Sequence, residues 1–134
     1  MNELLATIHE SVPKRTLRSE AELLETLHEA AAQARAAGML NIVFLDAPNG
    51  DQLSVAVGGT DTVICFTSGH GNPPYFASVG TAMSDEPVLT AYAGLSHHTE
   101  YLRRWVIPIA DGILAASEFL ATGIRPSAVE WVEV

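Results

Sequence analysis

The sequence predicts an α+β fold, a mostly antiparallel sheet of about six strands with two main helices packed on one face. Three features of the pattern carry this. Apolar residues recur at helical spacing in two stretches, each followed by a glycine, Gly38 or Gly123. Elsewhere the apolar period is two, in short runs rich in Val, Ile and aromatic residues. Most of these runs are joined by tight turns of Gly, Asn and Asp, which suit hairpins and are too short for the crossovers that parallel strands require.

In chain order, residues 1–18 leave two readings open. Leu4, Leu5, Ile8 and Val12 suit a helical face or a strand, and Pro13 closes the segment; a short N-terminal strand or arm is the reading adopted. Ser19 and Glu22 have the spacing of a capping box, with acidic residues in the first turn where the helix dipole favours them. The helix they open carries Leu23, Leu24, Leu27, Ala30, Ala31 and Ala34 as its apolar stripe, with His28 half-exposed beside it. Leu40 to Asp46 then reads as a strand, Pro48 to Asp51 as a turn, and Gln52 to Val57 as a second strand. Gly58 to Asp61 turns the chain into a third, Thr62 to Thr67, completing an antiparallel meander. Ser68 to Pro74 is a longer loop, Tyr75 to Val79 a strand, Met83 to Pro87 a turn and Val88 to Gly94 another strand. Pro108 suits the first turn of a helix running to about Thr122, with Ile109, Ile113, Ala116 and Leu120 on one face. Ser127 to Val134 reads as a last strand, with Val129 and Trp131 on one side.

The 134 residues fit one domain, 1–134. The one cysteine, Cys65, lies in the apolar run Val63 to Phe66, so the chain is not built for an oxidising compartment. The N-terminal residues lack the apolar core of a signal peptide and no segment is long enough to span a bilayer, which predicts a cytoplasmic protein without a membrane partner. Seven Lys and Arg against sixteen Asp and Glu give a net charge of -9, which repels nucleic acid and attracts basic partners. No Lys or Arg falls between Arg35 and Arg103, an interval that holds Asp46, Asp51, Asp61, Asp85, Glu86 and Glu100. This acidic stretch serves either solubility or the docking of a basic partner.

Motifs for catalysis are sparse. Apolar neighbours raise the pKa of the Cys65 thiol and leave it a poor nucleophile. Ser68, in Thr67-Ser68-Gly69-His70-Gly71, lacks the Gly-x-Ser-x-Gly spacing of a hydrolase elbow. Gly58-Gly59 has no Lys to cradle a phosphate. His97, His98 and Glu100 could ligate a metal only if a loop brought them together, because neighbouring side chains of an extended segment point apart. They read better as a polar loop that bonds to backbone or to a partner. Trp105, flanked by Arg103 and Arg104, is a core, edge or interface residue, and Trp131 a core or edge residue.

Several of these segments together resemble one family. Gly94 to Glu100 with its His97-x-Thr99-Glu100, the Ile107-Pro108 lead into the helix, Glu118-Phe119-Leu120-Ala121-Thr122-Gly123, Arg125-Pro126 and Val129-Glu130-Trp131 look like the type one Imm family, immunity proteins of bacterial polymorphic toxin systems. The likeness spans roughly residues 20–134 and is most specific at the C-terminal end. This chain has Leu95-Ser96 where the family usually has glycines, His98 where it often has Trp, and Tyr101-Leu102 where it often has Phe-Pro.

The resemblance implies a cytosolic antidote without catalytic residues, metal or cofactor. Its implied partner is a cognate toxin domain, basic, and for this family often a zinc-dependent deaminase acting on nucleic acid. The expected toxin-binding residues are Asp46, Asp51, Asp61, Asp85, Glu86, His97, His98 and Glu100. Two other readings stay open: a regulatory or self-associating domain using an open sheet edge such as the last strand, and a small hydrolase built on His70, His97 and Glu100.

Overall fold

The computed structural model describes residues 2–69, 71–80 and 87–134. The N-terminal segment forms two strands, β1 (Leu4–Thr7) and β2 (Arg15–Leu17), before helix α1 (Glu20–Ala36). Strands β3 (Asn41–Asp46), β4 (Gln52–Val57), β5 (Asp61–Thr62), β6 (Ile64–Ser68) and β7 (Asn72–Ser78) follow. After them come β8 (Val88–Ala93), β9 (His97–Leu102), a single 3-10 turn (Arg103–Trp105), β10 (Ile107–Pro108), helix α2 (Ile109–Thr122) and β11 (Trp131–Glu133). Among the described residues the main sheet has nine strands, larger than expected, in the order β11-β7-β6-β4-β3-β1-β2 with the β8–β9 hairpin attached to β3. Every pairing is antiparallel except β3 with β8.

Helix α1 starts as expected: the Ser19 hydroxyl accepts the Glu22 amide at 3.1 Å. The reciprocal bond is displaced by one residue, because Glu22 Oε1 accepts the amide of Arg18 at 3.0 Å. Gly38 follows the cap residue Ala37 with φ 72. At α2, Pro108 sits just ahead of the first helical residue and Gly123 closes the end with φ 72, its amide donating to Phe119 O.

Both helices cover one face of the sheet. Leu23, Leu27 and Ala30 from α1 and Ala115, Ala116, Phe119 and Leu120 from α2 pack on Val43, Leu45, Leu53, Val55, Val57, Ile64 and Phe66, with Leu4, Ala6 and Ile8 of the N-terminal segment in the same core. Phe119 is fully buried, its ring edge-on to Phe66 at 5.9 Å. Gly112 lets α2 approach the sheet closely: a Cβ there would lie 2.6 Å from Thr62 Cγ2. The opposite face holds a second core of Ile42, Ala56, Val63, Ala91, Tyr101 and Val106, supplied by alternate residues of β3 and β4 and roofed by β8–β9. The hairpin roof covers only part of that face. A cross-strand row at the far end, Leu5, Asp46, Gln52, Thr67 and Tyr75, is bare or half-buried.

Four expectations need correction. The polar stretch at His97 is a strand, not a loop, because Thr99 and Tyr101 face inward while His98, Glu100 and Leu102 face out. Residues Thr62 to Thr67 are not one strand: Val63 interrupts them, β5 pairing with β10 and β6 with β4. The strand that begins at Val88 reaches β3 in parallel, through Asn41↔Tyr92 and Ile42↔Ala93, which short turns between neighbouring strands do not foretell. The last strand is limited to Trp131–Glu133 because Ser127 is held in a turn against Glu118. The turn expected at Met83 to Pro87 lies outside the described residues save for Pro87.

Candidate functional site

The expected site residues fall in three places. Asp46 and Asp51 bracket the β3–β4 turn. Gln52 Nε2 donates to Asp46 Oδ1 at 2.8 Å, and Asp51 Oδ1 accepts the Gly69 amide at 3.1 Å, so Asp51 ties this turn to the one after β6. Asn49 and Asp51 also cross-bond within the turn, side chain to backbone at 3.0 Å. Asp61 lies at the other end of β4, paired with Pro108, and does not join them. His97, His98 and Glu100 lie on β9. His70, Asp85 and Glu86 lie outside the described residues.

Strand geometry divides the β9 trio. His98 and Glu100 project from its outer face opposite Tyr92 and Thr90 of β8, the His98 and Tyr92 rings 5.6 Å apart. His97 alternates to the inner side with Thr99 and Tyr101. His97 and Glu100 therefore do not converge, which removes the geometric basis for a hydrolase using them. Among the described residues no three His, Cys, Asp or Glu side chains are grouped to hold a metal ion.

Next to this outer face runs an open groove of about 580 Å³, lined by Arg35, Gly38, Met39, Leu40, Gly58, Val88, Leu89, Thr90 and Tyr92. A second, about 430 Å³, crosses the bare end of the sheet between Leu5, Lys14, Asp46, Gln52 and Thr67. Sequence reasoning assigned neither Tyr92 nor Leu5 to a surface feature. The period-two polar set Thr90 and Tyr92 was the available signal for the first; pairing across β1, β3 and β4 places the second and has no local signature.

Cys65 is not poised for chemistry. Burial pushes its thiol up to about 11, against a smaller opposing effect of its hydrogen bond with Ser54. The Tyr101 hydroxyl, over the same patch, is likewise pushed up, first by burial and then by Cys65. Trp131 is half-buried at the margin of the core: it packs on Phe66 at 6.2 Å and its Nε1 donates to Pro126 O at 2.7 Å. Trp105 packs against Tyr101 at 6.5 Å, half-buried, with its Nε1 unpartnered among the described residues.

The C-terminal motif makes a clamp after α2. The Glu118 carboxylate accepts the amide and the hydroxyl of Ser127, Thr122 Oγ1 donates to Glu118 O at 2.9 Å, and Thr122 Oγ1 accepts the Ile124 amide at 3.2 Å. These residues hold the turn that delivers Trp131 to the sheet. Their pattern is part of a match over residues 13–133 to the family described as immunity protein Imm1. The chain belongs to the Imm1 family. No curated protein matches it. Membership implies an immunity protein that acts against a toxin, and suggests a non-catalytic role. The clamp residues of this Imm1 protein are structural, holding the turn after α2. No helix among the described residues of this Imm1 protein is long and apolar enough to cross a membrane.

Proposed function

We propose that this Imm1 protein binds and neutralises a cognate bacterial toxin domain, a zinc-dependent deaminase acting on nucleic acid, by occluding its basic active-site cleft with an acidic surface. The observation that carries the reading is the distribution of charge over the sheet. Strands β3 to β9 contain no Lys or Arg, yet bear Asp46, Asp61 and Glu100. Two of the basic residues outside them are already engaged, Arg15 with Glu29 and Arg18 with Glu3. An enzyme that grips a polyanion presents a cationic cleft, and a cation-poor surface is its complement. Steering of this kind acts on the association rate and weakens as salt screens it.

In this reading the contacts come from Asp46, Asp51, Asp61, Asp85, Glu86, His97, His98 and Glu100. The residues at the β3–β4 turn and on the outer face of β9 sit on separate surfaces, so the long-range field is shared by all while direct contact belongs to a subset. Coexpression with the toxic C-terminal domain encoded by the upstream neighbour tests the reading: rescue of growth and copurification support it, and failure of both overturns it. A purified toxin domain that contains zinc and deaminates single- or double-stranded nucleic acid supports the deaminase assignment; a nuclease or other activity overturns that part alone. Charge reversal at Asp85 and Glu86 together slows association at low salt; an unchanged rate removes the steering argument.

A further inference from the structure

We propose that β9 is the docking strand, and that the cognate toxin adds an extended segment of its own to the open edge of β9, with an arginine or lysine opposite Glu100. This rests on the immunity reading above, since it takes the toxin as partner, and it goes further by naming the element and the mode of contact.

The direction of the backbone groups follows from two hydrogen bonds. The Tyr92 amide donates to Leu40 O of the neighbouring segment at 2.9 Å, so the polar groups of Tyr92 point towards β3 and away from β9. In an antiparallel ladder, residues alternate between those that exchange both bonds with the partner strand and those that turn both groups outward. Tyr92 is opposite His98, so His98 is of the outward kind, and with it Glu100 and Leu102, two and four residues on. The Arg103 amide donating to Pro87 O at 3.0 Å fixes the same alternation independently from the other end of the hairpin. Three residues of β9 therefore aim their N–H and C=O groups at the open side, and among the described residues β9 pairs only with β8.

The strands that end the main path of the sheet, β2 and β11, are blunted. β2 and β11 are three residues each, and β2 carries Arg15 with Lys14 beside it. β9 runs six residues in unbroken register and itself contains no Pro, Lys, Arg or bulge, the usual devices that prevent strand addition, with Arg103 and Arg104 only after its end. Its outer side chains, His98, Glu100 and Leu102, are exposed and supply an aromatic ring, a carboxylate and an apolar end. Charge selects the occupant. A second copy of the chain would bring -9 against -9, whereas a basic segment gains from both the Glu100 carboxylate and the overall field.

The test is amide exchange on the isotope-labelled chain, alone and in complex with the toxin domain inactivated by mutation of its own active site. In the free chain Thr99 and Tyr101 amides are protected by β8 while those of His98, Glu100 and Leu102 exchange readily. On binding, the latter three slow by at least about tenfold. Binding without that alternate-residue slowing overturns the docking strand and leaves the immunity reading standing; absence of any binding overturns both. A pair of variants gives a second readout. Glu100→Pro removes an outward N–H without breaking a β8–β9 bond, Glu100→Gln removes only charge, and the proline weakens toxin binding at least about tenfold more than the glutamine. Equal affinities overturn the proposal, and if the proline chain fails to fold, the exchange pattern of the unaltered chain decides. Sedimentation of the chain without toxin completes the set: a monomer is expected, and a dimer that protects the same three amides gives the edge to a second copy and overturns the proposal.

Discussion

Replacing Gly112 by alanine isolates the contact that sets the height of α2 above the sheet. In an exposed helix interior the change stabilises by roughly 0.5–1 kcal/mol, because glycine loses more backbone freedom on folding. Here the new methyl would stand 2.6 Å from Thr62 Cγ2. Thr62 is fully buried and its hydroxyl accepts the Ala56 amide at 3.1 Å, so it cannot rotate away without abandoning that bond. Overpacking a core by one methyl costs about 1–3 kcal/mol, and the net expectation is a loss of about 1–2 kcal/mol. Thr62→Ser keeps the hydroxyl and deletes the clashing methyl, at about 1 kcal/mol alone. In the double variant the methyl introduced on α2 occupies the space left by Cγ2, and stability returns close to that of the parent. The coupling is therefore about 2–3 kcal/mol, read as urea midpoints that fall by roughly 0.5–1 M in Gly112→Ala and recover in the double variant. Midpoints that add within about 0.5 kcal/mol, or a Gly112→Ala chain more stable than the parent, would refute this account of the α2 seat.

Ser19→Ala leaves the Glu22 amide without its cap acceptor and lowers stability by about 1 kcal/mol, measured by thermal melting; an unchanged melt contradicts the cap. Glu118→Ala frees the Ser127 amide and hydroxyl, costs about 1–2 kcal/mol, and changes the near-ultraviolet signal of Trp131, whose turn the carboxylate holds. The Cys65 thiol, raised from 9.0 to about 11 by burial, reacts with iodoacetamide at pH 8 far more slowly than a free thiol. Because the folded chain holds that proton more tightly than the unfolded one, Cys65's contribution to stability declines as pH rises from about 9 to 11; in Cys65→Ala this part of the pH dependence disappears.

Local chemistry explains which elements were legible. Ser19, Glu22 and Gly38 mark α1 because caps involve neighbouring residues, and Pro108 and Gly123 do the same for α2. The meander β3-β4-β6-β7 follows from turns that close within a few residues. Pairings between distant segments leave no such trace: β1 with β3, β10 with β5 and β8 with β3 depend on contacts made only after collapse. His97 to Leu102 defeated the pattern for a different reason. It is roofed on one side only by its inward Thr99 and Tyr101, and its histidines and Glu100 suggest a loop unless the partner strand is known. The acidic interval was legible as composition, whereas its separation into a turn at Asp46 and Asp51 and a distant Asp61 required the register.

The β8–β9 hairpin joins the rest of the sheet through two register pairs, Asn41↔Tyr92 and Ile42↔Ala93, through the buried Asn41 side-chain amide, which donates to Ile8 O at 3.0 Å and accepts the Leu95 amide at 3.3 Å, and through Ala91 and Tyr101, buried with Ile42, Ala56, Val63 and Val106. A module held by its inward residues can exchange its outward ones while the helix-covered core keeps its packing. Thr90, Tyr92, His98, Glu100 and Leu102 are then free to change, while Asn41 and the buried Ala91 and Tyr101 keep every version attached.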